Sequence, residues 1–185
     1  EQIAKDFADD KVIVKAAKSN LSNTYVRMGE MRKGEEVLEE IFREQPEDPG
    51  INNDLGYLYA DQGKNLEQAE KMIRIAIESE PENAAYLDSM GWVLYKRGKF
   101  EEALTYLQKA AGKEEGQDGT IYDHLGDVYQ RLEKIDKAVE AWQKALELSQ
   151  SDSKQNKKLI ERLEEKLKNH QSPPGQLRPE RPDSP

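Results

Sequence analysis

The feature that most constrains this chain is a set of three glycines, Gly56, Gly91 and Gly126, spaced 35 residues apart. Each follows a large apolar residue and lies in a run whose apolar residues recur at the spacing of an amphipathic helix. A glycine inside a helix costs about 1 kcal/mol relative to alanine. We therefore expect these glycines to allow the close approach of a partner helix within a repeated unit.

A second amphipathic helix follows the first in each unit. In the unit around Gly91, Gly98 ends the first helix, and the second carries Ala103, Leu107 and Ala110. Equivalent residues of the other two units are Ala69, Ile73 and Ala76, and Ala138, Trp142 and Ala145. A two-helix hairpin cannot bury its apolar face alone, so the pattern predicts hairpins that stack on one another.

This pattern resembles the tetratricopeptide repeat, a helix-turn-helix unit of about 34 residues. A more degenerate copy lies around Ser22, Gly34 and Pro46. The resemblance implies an all-α fold: a right-handed α-solenoid of four helix-turn-helix units with a C-terminal capping helix. The phrases NNDLGYLYADQG and AYLDSMGWVLYKRGKFEEAL are similar to the C-terminal repeats of large bacterial tetratricopeptide proteins. Some relatives of that kind are envelope lipoproteins that serve as assembly or adaptor platforms.

We divide the chain into repeats and flanking segments by this pattern. Four repeats are predicted within 14–150, at 14–48, 49–83, 84–118 and 119–150. Residues 1–13 are either the end of a preceding repeat or an N-terminal cap. Residues 151–169, with a stripe of leucines, are interpreted as a capping helix, and a coiled-coil helix is the alternative. The proline-rich residues 170–185 are expected to form a flexible tail.

The turn inside each hairpin differs in the fourth repeat. Gly29, Gly63 and Gly98 occupy this turn in the first three repeats, and Glu133 occupies it in the fourth. If the turn requires a left-handed residue, Glu133 costs about 1 kcal/mol. The second repeat has one extra residue near Asn65, at a turn where an insertion is tolerated.

Composition excludes several classes of function. The net charge of −9 argues against general nucleic-acid binding, which favours a basic surface. The absence of cysteine excludes disulfides, thiolate zinc sites and a cysteine nucleophile. No apolar run approaches the roughly 20 residues of a membrane-spanning helix. Because the chain begins at Glu1, we interpret it as a fragment or processed chain, from the bacterial cytoplasm or the periplasm and envelope.

The family resemblance also implies a binding surface. First helices of such repeats line a concave groove, and the groove-facing residues lie three before, one after and four after each repeat glycine. Ser22 takes the place of the glycine in the first repeat. The residues expected to bind a peptide or protein are Asn23, Asn53, Tyr57, Asp88, Trp92, Tyr95, Asp123 and Asp127, with Arg131 at the rim.

Two features of this set suggest how it binds. Asn53, Asp88 and Asp123 form a row with a period of 35 residues, and such side chains can hold the amide backbone of an extended peptide. The alternative is that these residues lie near helix N-termini, where the helix dipole favours such side chains. Trp92, with Tyr57 and Tyr95, is favoured as an aromatic anchor in the groove. The alternative is that Trp92 packs between adjacent repeats.

The expected ligand is a neutral or basic protein segment. Ser19, Ala85 and Ser89 stand where relatives that bind acidic C-termini carry cations, and three carboxylates point into the same surface. His124 adjoins Asp123, but the sequence offers no nucleophile to complete a catalytic triad with them. No histidines and carboxylates have the spacing of metal ligands. We therefore predict a non-enzymatic scaffold without cofactor or metal. The alternatives are a self-association module, with the cap helix or tail of one chain in the groove of another, and a regulatory or adaptor segment of a larger enzyme or envelope lipoprotein.

Overall fold

The computed structural model describes residues 11–151 and 156–170, which form nine α-helices and no strands. The helices are α1 Lys11–Arg27, α2 Met31–Glu44, α3 Pro49–Asp61, α4 Leu66–Ser79, α5 Ala84–Lys96, α6 Phe100–Ala111, α7 Gly119–Arg131, α8 Ile135–Ser151 and α9 Lys157–His170. Most of the expected N-terminal repeat or cap, the start of the expected capping segment and nearly all of the expected tail lie outside the described residues. The chain divides after Gly116 into two compact units.

The first unit contains three antiparallel hairpins, α1–α2, α3–α4 and α5–α6. Helix α2 packs on α3, α4 packs on α5, and α3 also packs directly on α5. The apolar stripes meet in these contacts, where Leu55, Ile73 and Leu107 are at most 1% exposed. Neighbouring hairpins are also joined by ion pairs, Glu35 with Lys64 and Glu70 with Arg97.

Three caps fix where the first helices of the hairpins begin. Asp48 accepts a hydrogen bond from the Ile51 N–H at 3.0 Å, and Asn83 and Asp118 cap α5 and α7 in the same way. These caps lie 35 residues apart, like the repeat glycines. The side-chain oxygens satisfy N–H groups that have no partner within the helix. The same cap at the same spacing places equivalent residues of α3, α5 and α7 on equivalent faces.

The expected close approach at the repeat glycines is confirmed. A methyl group on Gly91 would lie 2.5 Å from Leu107 Cγ, and one on Gly126 would lie 2.4 Å from the Trp142 indole. In the first hairpin Ser22 replaces the glycine, and its hydroxyl donates to the Gly34 carbonyl at 2.7 Å. Gly34 stands where the later repeats have alanine, and a methyl group there would lie 2.7 Å from Val26 Cγ2.

The turn inside each hairpin has a left-handed residue. Gly29, Gly63 and Gly98 have φ of 82°, 69° and 78°, and Glu133 has φ of 58°. The turn does require a left-handed residue, so the backbone of Glu133 is strained at a cost of about 1–2 kcal/mol. The extra residue of the second hairpin, Asn65, also has positive φ, 50°, just before α4 begins.

The second unit consists of the α7–α8 hairpin with α9 packed on α8. Leu159, Leu163 and Leu167 are buried on the inner face of α9. Ser151 still belongs to α8 and His170 to α9, so both helices extend one residue beyond the predicted boundaries. Among the described helices, none combines the length and hydropathy needed to cross a bilayer.

Candidate functional site

The predicted polar row lies one turn inside its helices. Asn53, Asp88 and Asp123 are the fifth residues of α3, α5 and α7. They are 8%, 7% and 0% exposed. The influence of a helix dipole falls off within the first turn, so the dipole alone does not account for three buried polar residues at this depth.

The Asn53 amide is only partly satisfied. Its Nδ2 donates to Asp54 Oδ1 at 3.2 Å, and its carbonyl Oδ1 is buried and has no hydrogen-bond partner within residues 11–151 and 156–170. Asp54 is itself partly buried. Burial raises the pKa of the Asp54 carboxyl, the hydrogen bond from Asn53 opposes this rise, and negative charge on Asp48 adds to it.

The predicted aromatic anchor is largely enclosed by neighbouring side chains. Trp92 is 8% exposed, and its Nε1 donates to Asp61 Oδ1 at 3.3 Å, which joins α5 to the end of α3. Tyr95 stacks on the indole at 5.0 Å between ring centroids, and Lys96 Nζ lies 4.7 Å from the indole centroid. Trp92 therefore contributes to packing between adjacent hairpins. Tyr57 and Tyr95 are half-buried and keep part of their rings at the surface.

The nine predicted binding residues fall in two different units. Six belong to the first unit: Asn23, Asn53, Tyr57, Asp88, Trp92 and Tyr95. Asn23 is exposed on α1, one hairpin before the α3–α5 pair that carries the other five. Asp123, Asp127 and Arg131 belong to α7 in the second unit, and Arg131 is exposed near its C-terminal end.

Helix α9 covers Asp123 and Asp127, two of the three predicted site residues of α7. The Asp123 side chain is 1% exposed and accepts from Arg162 Nη2 at 2.5 Å and Lys166 Nζ at 2.7 Å. Lys166 also pairs with Asp127, which accepts from Trp142 Nε1 at 3.1 Å. Burial raises the pKa of Asp127, negative charge on Asp123 adds to this rise, and Lys166 opposes it. These carboxylates face α9 rather than an open groove.

His170 completes this covering contact at the end of α9. Its Nδ1 lies 2.8 Å from the Lys166 carbonyl, and its Nε2 lies 2.9 Å from Gln130 Nε2. Because a carbonyl only accepts, Nδ1 carries the proton, and the Nε2 of neutral His170 accepts from Gln130. The imidazole also packs on Trp142, with ring centroids 5.0 Å apart.

Sequence reasoning missed Asp54, which accepts a hydrogen bond from Asn53, and Tyr86 of α5, on which the charge of Asp54 acts. Burial raises the pKa of the Tyr86 phenol, and negative charge on Glu80, Asp54 and Asp48 adds to the rise. A signal for Asp54 was present, because polar residues recur at 35-residue spacing in three largely apolar helices, at Asp54, Ser89 and His124. In the described part of the chain, no group of three or more His, Cys, Asp or Glu residues is placed to hold a metal ion.

Solved structures with this architecture come from several bacteria. TTC0263, a thermophilic TPR protein of Thermus thermophilus, is 22% identical, with 89% of this chain and 84% of that one covered and a TM-score of 0.67. PilF of Pseudomonas aeruginosa is 18% identical, with 86% and 77% covered and a TM-score of 0.59. MamA from Desulfovibrio magneticus RS-1 is 23% identical, with 84% and 88% covered and a TM-score of 0.54. At these identities the likeness shows the fold alone.

A family model described as a tetratricopeptide repeat-like domain matches residues 58–169, more than half of the chain. None of the curated proteins compared with the sequence matches it. The predicted fold class, an all-α solenoid of tetratricopeptide hairpins with a capping helix, is confirmed by the helices and by this match. The chain therefore belongs to the tetratricopeptide repeat-like family.

Proposed function

We propose that this chain is a non-enzymatic scaffold that binds an extended, neutral to basic segment of a partner protein on the first unit, along α3 and α5. A tetratricopeptide repeat-like fold is consistent with a role in protein–protein interaction. One observation carries the proposal. Asn53 is 8% exposed, yet its carbonyl Oδ1 lacks a hydrogen-bond partner in the part of the chain that the structure describes.

An extended peptide has the chemistry to satisfy this side chain. A buried acceptor without a partner costs about 1–3 kcal/mol, and a turn of the side chain toward the surface lets a backbone N–H of a bound segment supply the missing donor. Tyr57 and Tyr95 lie on the same two helices and retain exposed ring surface. Half-buried tyrosines provide apolar contact area together with a polar hydroxyl, a combination enriched at protein interfaces.

The charges on these helices favour a basic segment. Asp54 and Asp61 lie on α3 and Asp88 on α5, in a chain of net charge −9. Complementary charge speeds the encounter of two proteins and suppresses wrong partners. The second unit provides an internal example, because Asp123, at the position equivalent to Asn53 and Asp88, accepts from Arg162 and Lys166.

We favour a partner protein over self-association through the capping helix. Helix α9 buries three leucines within its own unit, and two of its cations hold Asp123. To occupy the groove of a second chain, α9 would have to leave these contacts and expose an apolar face to water.

Affinity capture from a lysate of the source organism tests the proposal. We compare the wild type with Tyr57→Ala. Tyr106→Ala serves as the matched control because Tyr106 is a half-buried tyrosine on α6, the second helix of its hairpin. The expected result is a partner that Tyr57→Ala loses and Tyr106→Ala retains, with helicity unchanged by circular dichroism. A partner retained by both variants would place binding elsewhere and contradict the proposal. Trp92→Ala is unsuitable, because removal of a buried indole also lowers stability.

A further inference from the structure

We propose that Asn53, Asp54 and Tyr86, here called the α3–α5 acceptor cluster, receive one cationic side chain of the bound segment, a lysine ammonium or an arginine guanidinium. The inference rests on the proposed function and assigns it one specificity-determining contact. All three residues lie in the first unit, and all can accept hydrogen bonds.

The three residues come from two helices that pack together, α3 and α5. Asn53 Nδ2 donates to Asp54 Oδ1 at 3.2 Å, so both side chains share one side of α3. Tyr86 lies in the first turn of α5, where its backbone N–H donates to the Asn83 cap at 3.3 Å. The Tyr86 hydroxyl reaches back toward the start of α3 and stands 3.9 Å from the position of a methyl group on Gly50. Negative charge on Asp54 acts on this phenol.

Two neighbouring aspartates differ in how their charge is balanced. Asp48 accepts from Lys15 Nζ at 2.6 Å and from the Ile51 N–H at 3.0 Å. Asp54 accepts from the neutral amide of Asn53, and among the described residues no cation helps to hold its charge. Partly buried charges are ordinarily paired. The cluster thus combines a carboxylate that lacks a cation with the unpartnered Asn53 Oδ1.

An organic cation fits this cluster better than a metal ion. An ammonium group has three donors and a guanidinium five, enough to serve a carboxylate, an amide carbonyl and a phenol oxygen together. No group of metal-ligating side chains is formed by the described residues. In the second unit Asp123, at the Asn53 position, accepts an arginine and a lysine from the helix that follows. The same position of a repeat is thus seen to take cations within this chain.

Selection of short random peptides on the purified wild-type chain provides the probe. Each selected peptide is remade with its lysines as norleucine or its arginines as citrulline, which keeps the shape and removes the charge. On the wild type, one such replacement should weaken binding by about tenfold or more. On Asp54→Asn that difference should disappear. Glu101→Gln, which removes an exposed carboxylate from α6, should retain it.

The outcomes separate this inference from the proposed function. If peptides bind and Tyr57→Ala abolishes binding, but the neutral replacements bind equally well, the segment uses the groove and the cationic contact is refuted. A charge dependence that persists in Asp54→Asn also refutes it, because the cation then lies elsewhere. If no peptide is enriched on the wild type, the proposed function fails and the inference fails with it.

Discussion

The first and second units present the same helix position in opposite states. In α3, Asn53 keeps a carbonyl oxygen without a partner among the described residues, and no cation in that part of the chain neutralises the adjacent Asp54 carboxylate. In α7, Asp123 is fully buried and held by two cations of α9. In the second unit the cations come from the helix that follows, because α9 carries Arg162 and Lys166. The repeat pattern fixes where a side chain lies, and residues of other helices decide whether its polar atoms find a partner within the chain.

The largest expected effect tests whether Lys166 stabilises the buried carboxylates of α7. Lys166→Met removes the cation shared by Asp123 and Asp127. A buried carboxylate that loses its partner is strongly destabilising, and we expect the second unit to lose about 3 kcal/mol. Hydrogen exchange by mass spectrometry reports the two units separately, so faster exchange should be confined to α7, α8 and α9.

A second lysine of α9 provides the control for that measurement. Lys168 is exposed, and Lys168→Met removes the same charge from the same helix. This variant should exchange like the wild type. Equal protection in both variants would mean that Lys166 does not hold the buried carboxylates and that the contrast between the units is wrong.

The next largest effect on stability is expected at a repeat glycine, a feature that both units share. Gly91→Ala places a methyl group 2.5 Å from Leu107 Cγ, and Leu107 is fully buried. Overpacking costs about 1–3 kcal/mol, and alanine recovers about 1 kcal/mol of helix propensity. We expect a net loss of up to about 2 kcal/mol in urea unfolding. Gly112→Ala is the control: a methyl group there lies 3.3 Å from the Gln108 carbonyl oxygen and φ is −77°, so it should be less destabilising than Gly91→Ala.

Much of this architecture could be predicted from sequence because the residues that recur along the chain do so for physical reasons. Gly91 must be small where a helix crosses it, and alanine recurs in the facing helix for the same reason. The caps Asp48, Asn83 and Asp118 repeat with the same period and fix the helix starts. Positions on a face follow from 3.6 residues per turn. The predicted fold class therefore agrees with the structure.

The state of each site residue could not be predicted in the same way. Spacing shows which face a residue occupies, but burial depends on side chains that reach across from other helices. Trp92 is enclosed because Tyr95 and Lys96 contact its ring and Asp61 accepts from its nitrogen. Asp123 is enclosed because cations 39 and 43 residues later in the chain fold back onto it. Neither contact has a periodic signature in the sequence.

The turns inside the hairpins supply a smaller test. Gly98 in the first unit and Glu133 in the second have the same left-handed conformation. Glu133→Gly removes an unfavourable backbone conformation and should stabilise the second unit by about 1 kcal/mol in urea unfolding. Glu133→Gln keeps the side-chain bulk and should show no gain. A gain in both variants would assign the effect to charge rather than to backbone strain.

The smallest expected effect tests whether the partly buried Asp54 carboxylate of α3 lowers the free energy of unfolding. Burial raises the pKa of Asp54 in the folded chain above its unfolded value, with Asn53 opposing and Asp48 adding to the rise. The folded state therefore disfavours the charged carboxylate, and the penalty is fully present above the folded pKa. As pH falls through that pKa, the folded state binds the proton first and the penalty is relieved. Asp54→Asn should therefore be slightly more stable than the wild type at neutral pH.

The pH dependence of that difference identifies its cause. Other groups titrate in both proteins and cancel, so the difference in unfolding free energy should shrink as the pH is lowered from neutral through the folded pKa of Asp54. Glu101→Gln is the control for lost charge and should show no such trend, because Glu101 is exposed. A difference that grows on acidification would mean that Asp54 stabilises the fold as an anion, like the ion-paired Asp48, whose pKa is lowered. The acceptor cluster would then be structural, and the two units would differ only in which partner neutralises their carboxylates.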